Sequence, residues 1–126
     1  MCWSNTIAIP LVLKKPLRVY KLGNTSIFDS FISLHQNFMY IKSQTVPTVE
    51  INPQFVRHYP SRWFSIALWN YDTFYIDKGY HSYLTEEMAR YCKGECDDIG
   101  IFEIPADATI YVDYKYREVV STDIKY

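Results

Sequence analysis

The strongest pattern for metal chemistry is the pair Cys92 and Cys96, which have three residues between them and are followed by Asp97 and Asp98. A structural zinc site needs about four ligands, and a second Cys or His pair normally supplies the other two. The histidines are scattered along the chain, at His35, His58 and His81. We therefore predict that the protein binds no metal and needs no cofactor.

Covalent catalysis has one candidate nucleophile, Cys2, whose own amine would act as the base once Met1 was removed. The chain of 126 residues is short for the four-layer fold of the hydrolases that use this device. It contains no Gly-rich phosphate loop, no G-x-S-x-G turn and no H-E-x-x-H motif. Familiar nucleophilic catalysis is therefore not predicted.

Charge and hydropathy exclude two further classes of partner. The chain has 13 basic and 14 acidic residues, which disfavours broad binding to nucleic-acid phosphates. No segment reaches the roughly 20 apolar residues that span a bilayer, and the N-terminus lacks the pattern of a signal peptide. Three cysteines, an odd number, fit a reducing compartment. We predict a soluble, cytoplasmic protein.

The first half of the chain is predicted to hold strands and a short helix within one domain, 1–126. Residues 1–16 form an extended arm. Residues 17–22 alternate between apolar and polar side chains and predict a strand that Gly23-Asn24 ends. Thr25 or Ser26 then caps a helix that reaches Gln36, since the apolar spacing approximates a helical period. Residues 38–41 are a short strand.

The second half begins with a proline-rich stretch, 43–62, that disfavours a long regular element. Residues 62–84 are dense in aromatic side chains and predict one or two strands, with a turn near Asn70-Tyr71-Asp72. Thr85 caps a helix that ends at Gly94.

Three strands follow this helix, at 99–104, 108–114 and 117–124, and are expected to form a meander. The order predicts an α+β fold, mainly an antiparallel sheet with two short helices.

The unusual feature of the composition is its aromatic content: twelve Tyr, seven Phe and three Trp together make up 17% of the residues. Tyrosines of this kind pack along half-buried sheets. They also form binding surfaces, because each offers a rigid ring and a polar tip. Both interpretations stay open, and such a surface is also consistent with a homo-oligomer.

The pentapeptide Gly79–Tyr83 precedes the Thr85 helix, and strands at 102–105 and 117–121 follow it. Together with Val19-Tyr20-Lys21 near the start, this order resembles the ADP-ribosyltransferase-like domains. The resemblance implies that Lys21 anchors a dinucleotide, that Tyr80 or Tyr83 stacks on nicotinamide, and that Ser82 takes the place of the family's Ser-Thr-Ser strand. It also implies that Glu118 is the acid.

Two departures from that family favour binding over catalysis. Lys21 stands where the family has Arg or His, and a lysine offers a point charge rather than a planar fork. The family's paired acid is replaced by Tyr116. The fold is therefore expected to be, at most, a degenerate form of the ADP-ribosyltransferase-like fold.

Most of the chain also resembles a family of small uncharacterised proteins from Bacteroidales and their phages. That likeness rests on the Met1-Cys2-x-Ser4 start, the Gly79–Tyr83 motif, Ile104-Pro105 and the Glu118–Ser121 ending. It implies a phage-associated protein in the host cytoplasm.

We therefore predict a non-catalytic binding protein that holds a nucleotide-like ligand and sequesters an immune signal derived from NAD or a cyclic nucleotide. The predicted ligand contacts are Lys21, Tyr80, His81, Ser82, Tyr83 and Glu118. One alternative is an ADP-ribosyltransferase or NAD glycohydrolase that uses Glu118 catalytically. Another is an inhibitor that docks on a host protein.

Overall fold

The computed structural model describes residues 3–5, 7–26, 29–34, 38–58, 71–94 and 97–126, which hold eleven strands and one helix. The strands are β1 Trp3–Asn5, β2 Leu11–Val12, β3 Leu17–Ser26, β4 Ser30–Ser33, β5 Met39–Ile41, β6 Gln54–His58, β7 Tyr71–Ile76, β8 Tyr80–Tyr83, β9 Asp98–Ile104, β10 Thr109–Asp113 and β11 Glu118–Ser121. The helix is α1, Glu86–Cys92, between β8 and β9.

The larger sheet has eight antiparallel strands in the order β2-β10-β11-β8-β3-β4-β5, with β9 paired to the other edge of β3. Side chains along β9 point alternately into the core and away from it. Gly100, Phe102 and Ile104 point into the core, and the residues between them are exposed. β9 pairs with β3 from Leu17 to Gly23, so β3 lies at the centre of the fold.

Aromatic side chains fill the main core on one face of this sheet. Phe102 packs edge-on against Phe31 and Tyr40, with ring centroids 5.3 Å and 5.0 Å apart. Val19 and Val119 are fully buried beside them. Edge-to-face rings of this kind add to the stabilisation that comes from buried area alone.

The smaller sheet has three strands in the order β1-β7-β6. Trp3 pairs with Ile76 in its register, and both side chains are buried. They pack against Tyr111 and Val120 of the larger sheet. The N-terminal arm therefore contributes strands to both sheets, because its other strand, β2, pairs with β10.

The predicted second helix is confirmed. The Thr85 side chain accepts a hydrogen bond from the Met88 backbone N–H at 3.3 Å, and Glu86 and Glu87 occupy the first turn. These are local signals of a helix start, since the cap satisfies a free N–H and the acids face the positive end of the dipole. Ala89 is buried against Leu22 of β3.

The predicted helix from Thr25 to Gln36 is wrong. β3 continues through Gly23 and Asn24 to Ser26, and β4 folds back on it as a hairpin. A side chain at Gly23 is excluded by close packing, because a Cβ there would lie 2.0 Å from the Ile32 carbonyl oxygen. Gly23 is therefore required for the close approach of two strands, and it does not end β3.

The fold class is mainly β with one helix in the described part of the chain, rather than α+β with two. The three C-terminal strands are confirmed, but they do not form a meander. β10 pairs with β11 and β2, whereas β9 pairs with β3. The turn predicted near Asn70-Tyr71-Asp72 is wrong for Tyr71 and Asp72, which belong to β7, and Asn70 lies outside the described residues. The strand predicted at 38–41 is confirmed as β5.

We expect Gly23→Ala to lower the free energy of unfolding by about 2 kcal/mol or more, because the new methyl group overlaps backbone atoms of β4. Gly94→Ala is the matched control. Its added Cβ would meet the movable Asp97 carboxylate, at 2.8 Å, and should cost less than about 1 kcal/mol. Urea unfolding of both variants tests the claim, and equal destabilisation would contradict it.

Candidate functional site

A fork between β8 and β4 creates the candidate site. β8 pairs with β3 only at Tyr20, opposite Tyr83, and β4 occupies the same edge of β3 from Gly23 onwards. Lys21 and Leu22 lie between these two points of attachment. The Leu22 carbonyl accepts a hydrogen bond from the Leu34 N–H at 3.1 Å, just beyond the end of β4. The two strands thus separate at the middle of β3.

A cavity of about 310 Å³ lies at this fork. β3 lines it with Lys21 and Leu22, and β8 lines it with 81–83. Glu118 of β11 closes a further side. The remaining wall comes from the end of β4, the end of α1 and Asp97. Four strands and the helix therefore meet around one space.

Lys21 bridges the fork with its side chain. Its Nζ donates a hydrogen bond to the His81 carbonyl oxygen at 2.5 Å. The same nitrogen lies 5.2 Å from the centroid of the Tyr40 ring and 5.8 Å from that of Phe102, within the range of cation–π contacts. Burial lowers the pKa of Lys21 to about 7. The amine is therefore divided between its charged and neutral forms near neutral pH.

Glu118 is a buried carboxyl beside a second one. In the register of β10 and β11 it lies directly opposite Asp113, which is also buried. Burial, and then repulsion from Asp113, raise the pKa of Glu118 to about 7. A buried acid with such a pKa, in a cavity, is typical of functional sites and can donate or accept a proton near neutral pH.

Tyr83 links the cavity to the end of the helix. Its phenol is hydrogen-bonded to the Cys92 side chain. Burial, this bond and the negative charge of Glu118 together raise the pKa of Tyr83 well above its ordinary value. Tyr83 therefore stays a neutral hydroxyl at physiological pH. Cys92 itself is exposed, at the rim of the cavity.

Ser82 carries the clearest unfilled hydrogen-bonding capacity. The residue lines the cavity and is 4% exposed, and its Oγ has no hydrogen-bond partner among the described residues. A buried hydroxyl without a partner costs about 1–3 kcal/mol. A bound molecule that completed this hydrogen bond would recover that free energy.

The structure brings five of the six predicted ligand contacts to the cavity: Lys21, His81, Ser82, Tyr83 and Glu118. His81 Nε2 lies 3.0 Å from the Asp77 carbonyl oxygen, to which it donates. Tyr80 does not line the cavity. Its ring packs near Tyr40, and its hydroxyl donates to the Pro47 carbonyl oxygen at 2.5 Å, so it holds the proline-rich loop instead.

Sequence reasoning missed five residues that line the cavity: Leu22, Ser33, Leu34, Cys92 and Asp97. Leu22 directly follows Lys21 on the predicted strand, and this was the one signal in the sequence that Leu22 could line the cavity. Cys92 was considered only as a metal ligand. Within the described ranges no three His, Cys, Asp or Glu side chains are grouped as a metal site would require. Cys2, Cys96 and His35 lie outside those ranges.

No protein-family model, curated protein or solved structure matches this chain significantly. In the described part of the chain, no helix has the length and apolar character that crossing a bilayer requires.

We expect the two buried groups to give the protein a stability minimum near pH 7. Glu118 has a raised pKa when folded, so the folded state holds the extra proton and stability falls from about pH 4.5 to 7. Lys21 has a lowered pKa, so the unfolded state holds the extra proton and stability rises from about pH 7 to 10.5.

Urea unfolding between pH 4 and 10 measures this profile. Glu118→Gln should flatten the acid side only, and Lys21→Met should flatten the alkaline side only. A profile that neither variant changes would show that these groups are not buried as described.

Proposed function

We propose that the protein is a non-catalytic binding protein that holds a small nucleotide-like ligand in the fork cavity. The observation that carries the proposal is the fork cavity, whose wall includes the unpartnered, buried Ser82 hydroxyl and the buried Glu118 carboxyl. Both groups are costly to bury alone, and both are satisfied by a ligand that offers hydroxyl or amino groups.

The size of the cavity supports a ligand no larger than one nucleotide. Its volume of about 310 Å³ is at the low end of the range of about 300–1,000 Å³ found for small-molecule sites. Leu22, Leu34 and Tyr83 add apolar and aromatic lining, which such sites use for most of their contact area. A dinucleotide would extend beyond this space.

The biological role we propose follows from the resemblance to a family of Bacteroidales and phage proteins. A small phage protein that binds a nucleotide in the host cytoplasm would lower the concentration of a nucleotide immune signal without chemical turnover. The fork cavity of each chain would hold one ligand, which suits this stoichiometric role.

Occupancy of the cavity is tested by blocking its mouth. Leu34 lines the cavity and is 51% exposed, so Leu34→Trp should fill the space without disturbing the core. Ile101→Trp is the matched control, because Ile101 is 58% exposed on β9 and is not part of the cavity wall.

The measurement is native mass spectrometry of each protein as purified, followed by denaturation and identification of released small molecules. The wild type and Ile101→Trp should carry a nucleotide-like ligand in stoichiometric amount, and Leu34→Trp should carry at least tenfold less. A stoichiometric host protein in place of a small molecule would instead favour the inhibitor alternative.

The enzyme alternative is favoured by one observation, the buried carboxyl of Glu118 with a pKa of about 7. If Glu118 stabilised an oxocarbenium ion at the ribose of NAD, purified protein would release nicotinamide. A chromatographic assay of NAD turnover distinguishes an enzyme from a binding protein. Binding without turnover is the expected result, and release of nicotinamide that Glu118→Gln abolishes would replace the binding proposal with a glycohydrolase or transferase.

A further inference from the structure

We propose that the cavity takes a guanine base, whose N1–H and N2 amino group donate to the two carboxylate oxygens of Glu118, while the sugar and any phosphate face solvent. This inference rests on the proposed binding function and names the ligand class that the site selects.

The charges around the cavity oppose a phosphate inside it. Glu118 and Asp97 both line the wall and both carry carboxyl groups. The one lysine there, Lys21, has its Nζ hydrogen-bonded to the His81 carbonyl and placed over the rings of Tyr40 and Phe102. That amine is already engaged on the core side of β3. A negatively charged ligand group would therefore meet two acids, and among the described residues that line the cavity Lys21 is the only lysine or arginine.

The hydrogen-bonding capacity of Glu118 then selects among bases. An ionised carboxylate has two oxygens that only accept, so its best partner offers two parallel donors. Guanine has two adjacent donors on its Watson–Crick edge, N1–H and the N2 amino group. Adenine and cytosine each present one donor beside an acceptor there. Repulsion from Asp113, opposite Glu118 in the register, makes an added pair of donors still more favourable.

The remaining lining suits a flat base. Leu22, Leu34 and Tyr83 contribute apolar and aromatic contact area. A guanine would thus match the two acceptor oxygens of Glu118 and pack its flat ring against the apolar part of the cavity wall.

The test is isothermal titration calorimetry at pH 8, where Glu118 is mostly ionised, with guanosine, inosine, adenosine and GMP as ligands. Inosine is guanosine without the N2 amino group, so it loses one of the two proposed bonds. We expect inosine to bind roughly 10- to 100-fold more weakly than guanosine, and adenosine to bind more weakly still. GMP should match guanosine within about threefold, since its phosphate lies outside the cavity.

Glu118→Gln provides a specificity switch at nearly constant shape. A glutamine amide offers one donor and one acceptor, which matches adenine and mismatches guanine. We expect this variant to lose guanosine affinity by roughly 10- to 100-fold and to gain affinity for adenosine. If the variant does not fold, the comparison of guanosine with inosine on the wild type still decides the proposal.

The inference would be overturned by equal affinity for guanosine and adenosine, or by GMP binding more than tenfold more weakly than guanosine. If none of the four ligands binds but native mass spectrometry releases a different small molecule, the guanine assignment is wrong and the binding function stands. If no small molecule is released and none binds, the binding function fails as well.

Discussion

The bond from Lys21 Nζ to the His81 carbonyl spans a gap that the strand pairing leaves open. One edge of β3 must serve two strands, because β8 pairs there only at Tyr20 and β4 only from Gly23 onwards. Where regular pairing stops, backbone groups need other partners, and a buried carbonyl without one is costly. The lysine side chain supplies that partner. It holds β8 near β3 without closing the space between them, and so the cavity persists.

Burying a lysine at this position has an electrostatic cost, because the charged amine loses its contact with water. The Lys21 amine is buried among aromatic rings, and its pKa falls to about 7 because water is excluded. Glu118, across the cavity, is shifted to about the same value for the same reason together with repulsion from Asp113. Evolution for stability alone favours apolar residues at such positions. Buried ionisable groups with shifted pKa values cluster at functional sites, and these two groups line one cavity.

Local signals in the sequence predict the helix α1, since Thr85, Glu86 and Glu87 act within one turn of the chain. The helix prediction for residues 25–36 failed because the apolar spacing of that segment fits a helix as well as a hairpin. The contact that favours the hairpin, between Gly23 and Ile32, joins two strands and is not visible in the local sequence. The candidate site shows the same difference between local signals, which the sequence reveals, and long-range contacts, which it does not. Lys21, Ser82 and Glu118 were found through a family resemblance, but the register that brings β3, β8 and β11 around one space is long-range. Tyr80 was misplaced because its partner, the Pro47 carbonyl, lies in a loop without pattern.

The two shifted groups also give the cavity a charge that changes sign near neutrality. Below pH 7 Lys21 is mostly charged and Glu118 is mostly protonated, so the pair carries a positive charge. Above pH 7 the lysine is mostly neutral and the glutamate is mostly ionised, so the pair carries a negative charge. On the alkaline side the ionised Glu118 carboxylate only accepts hydrogen bonds, whereas on the acid side the protonated carboxyl can also donate one. The charge and the hydrogen-bonding capacity of the cavity wall therefore depend on the protonation of these two groups as well as on the shape of the fork.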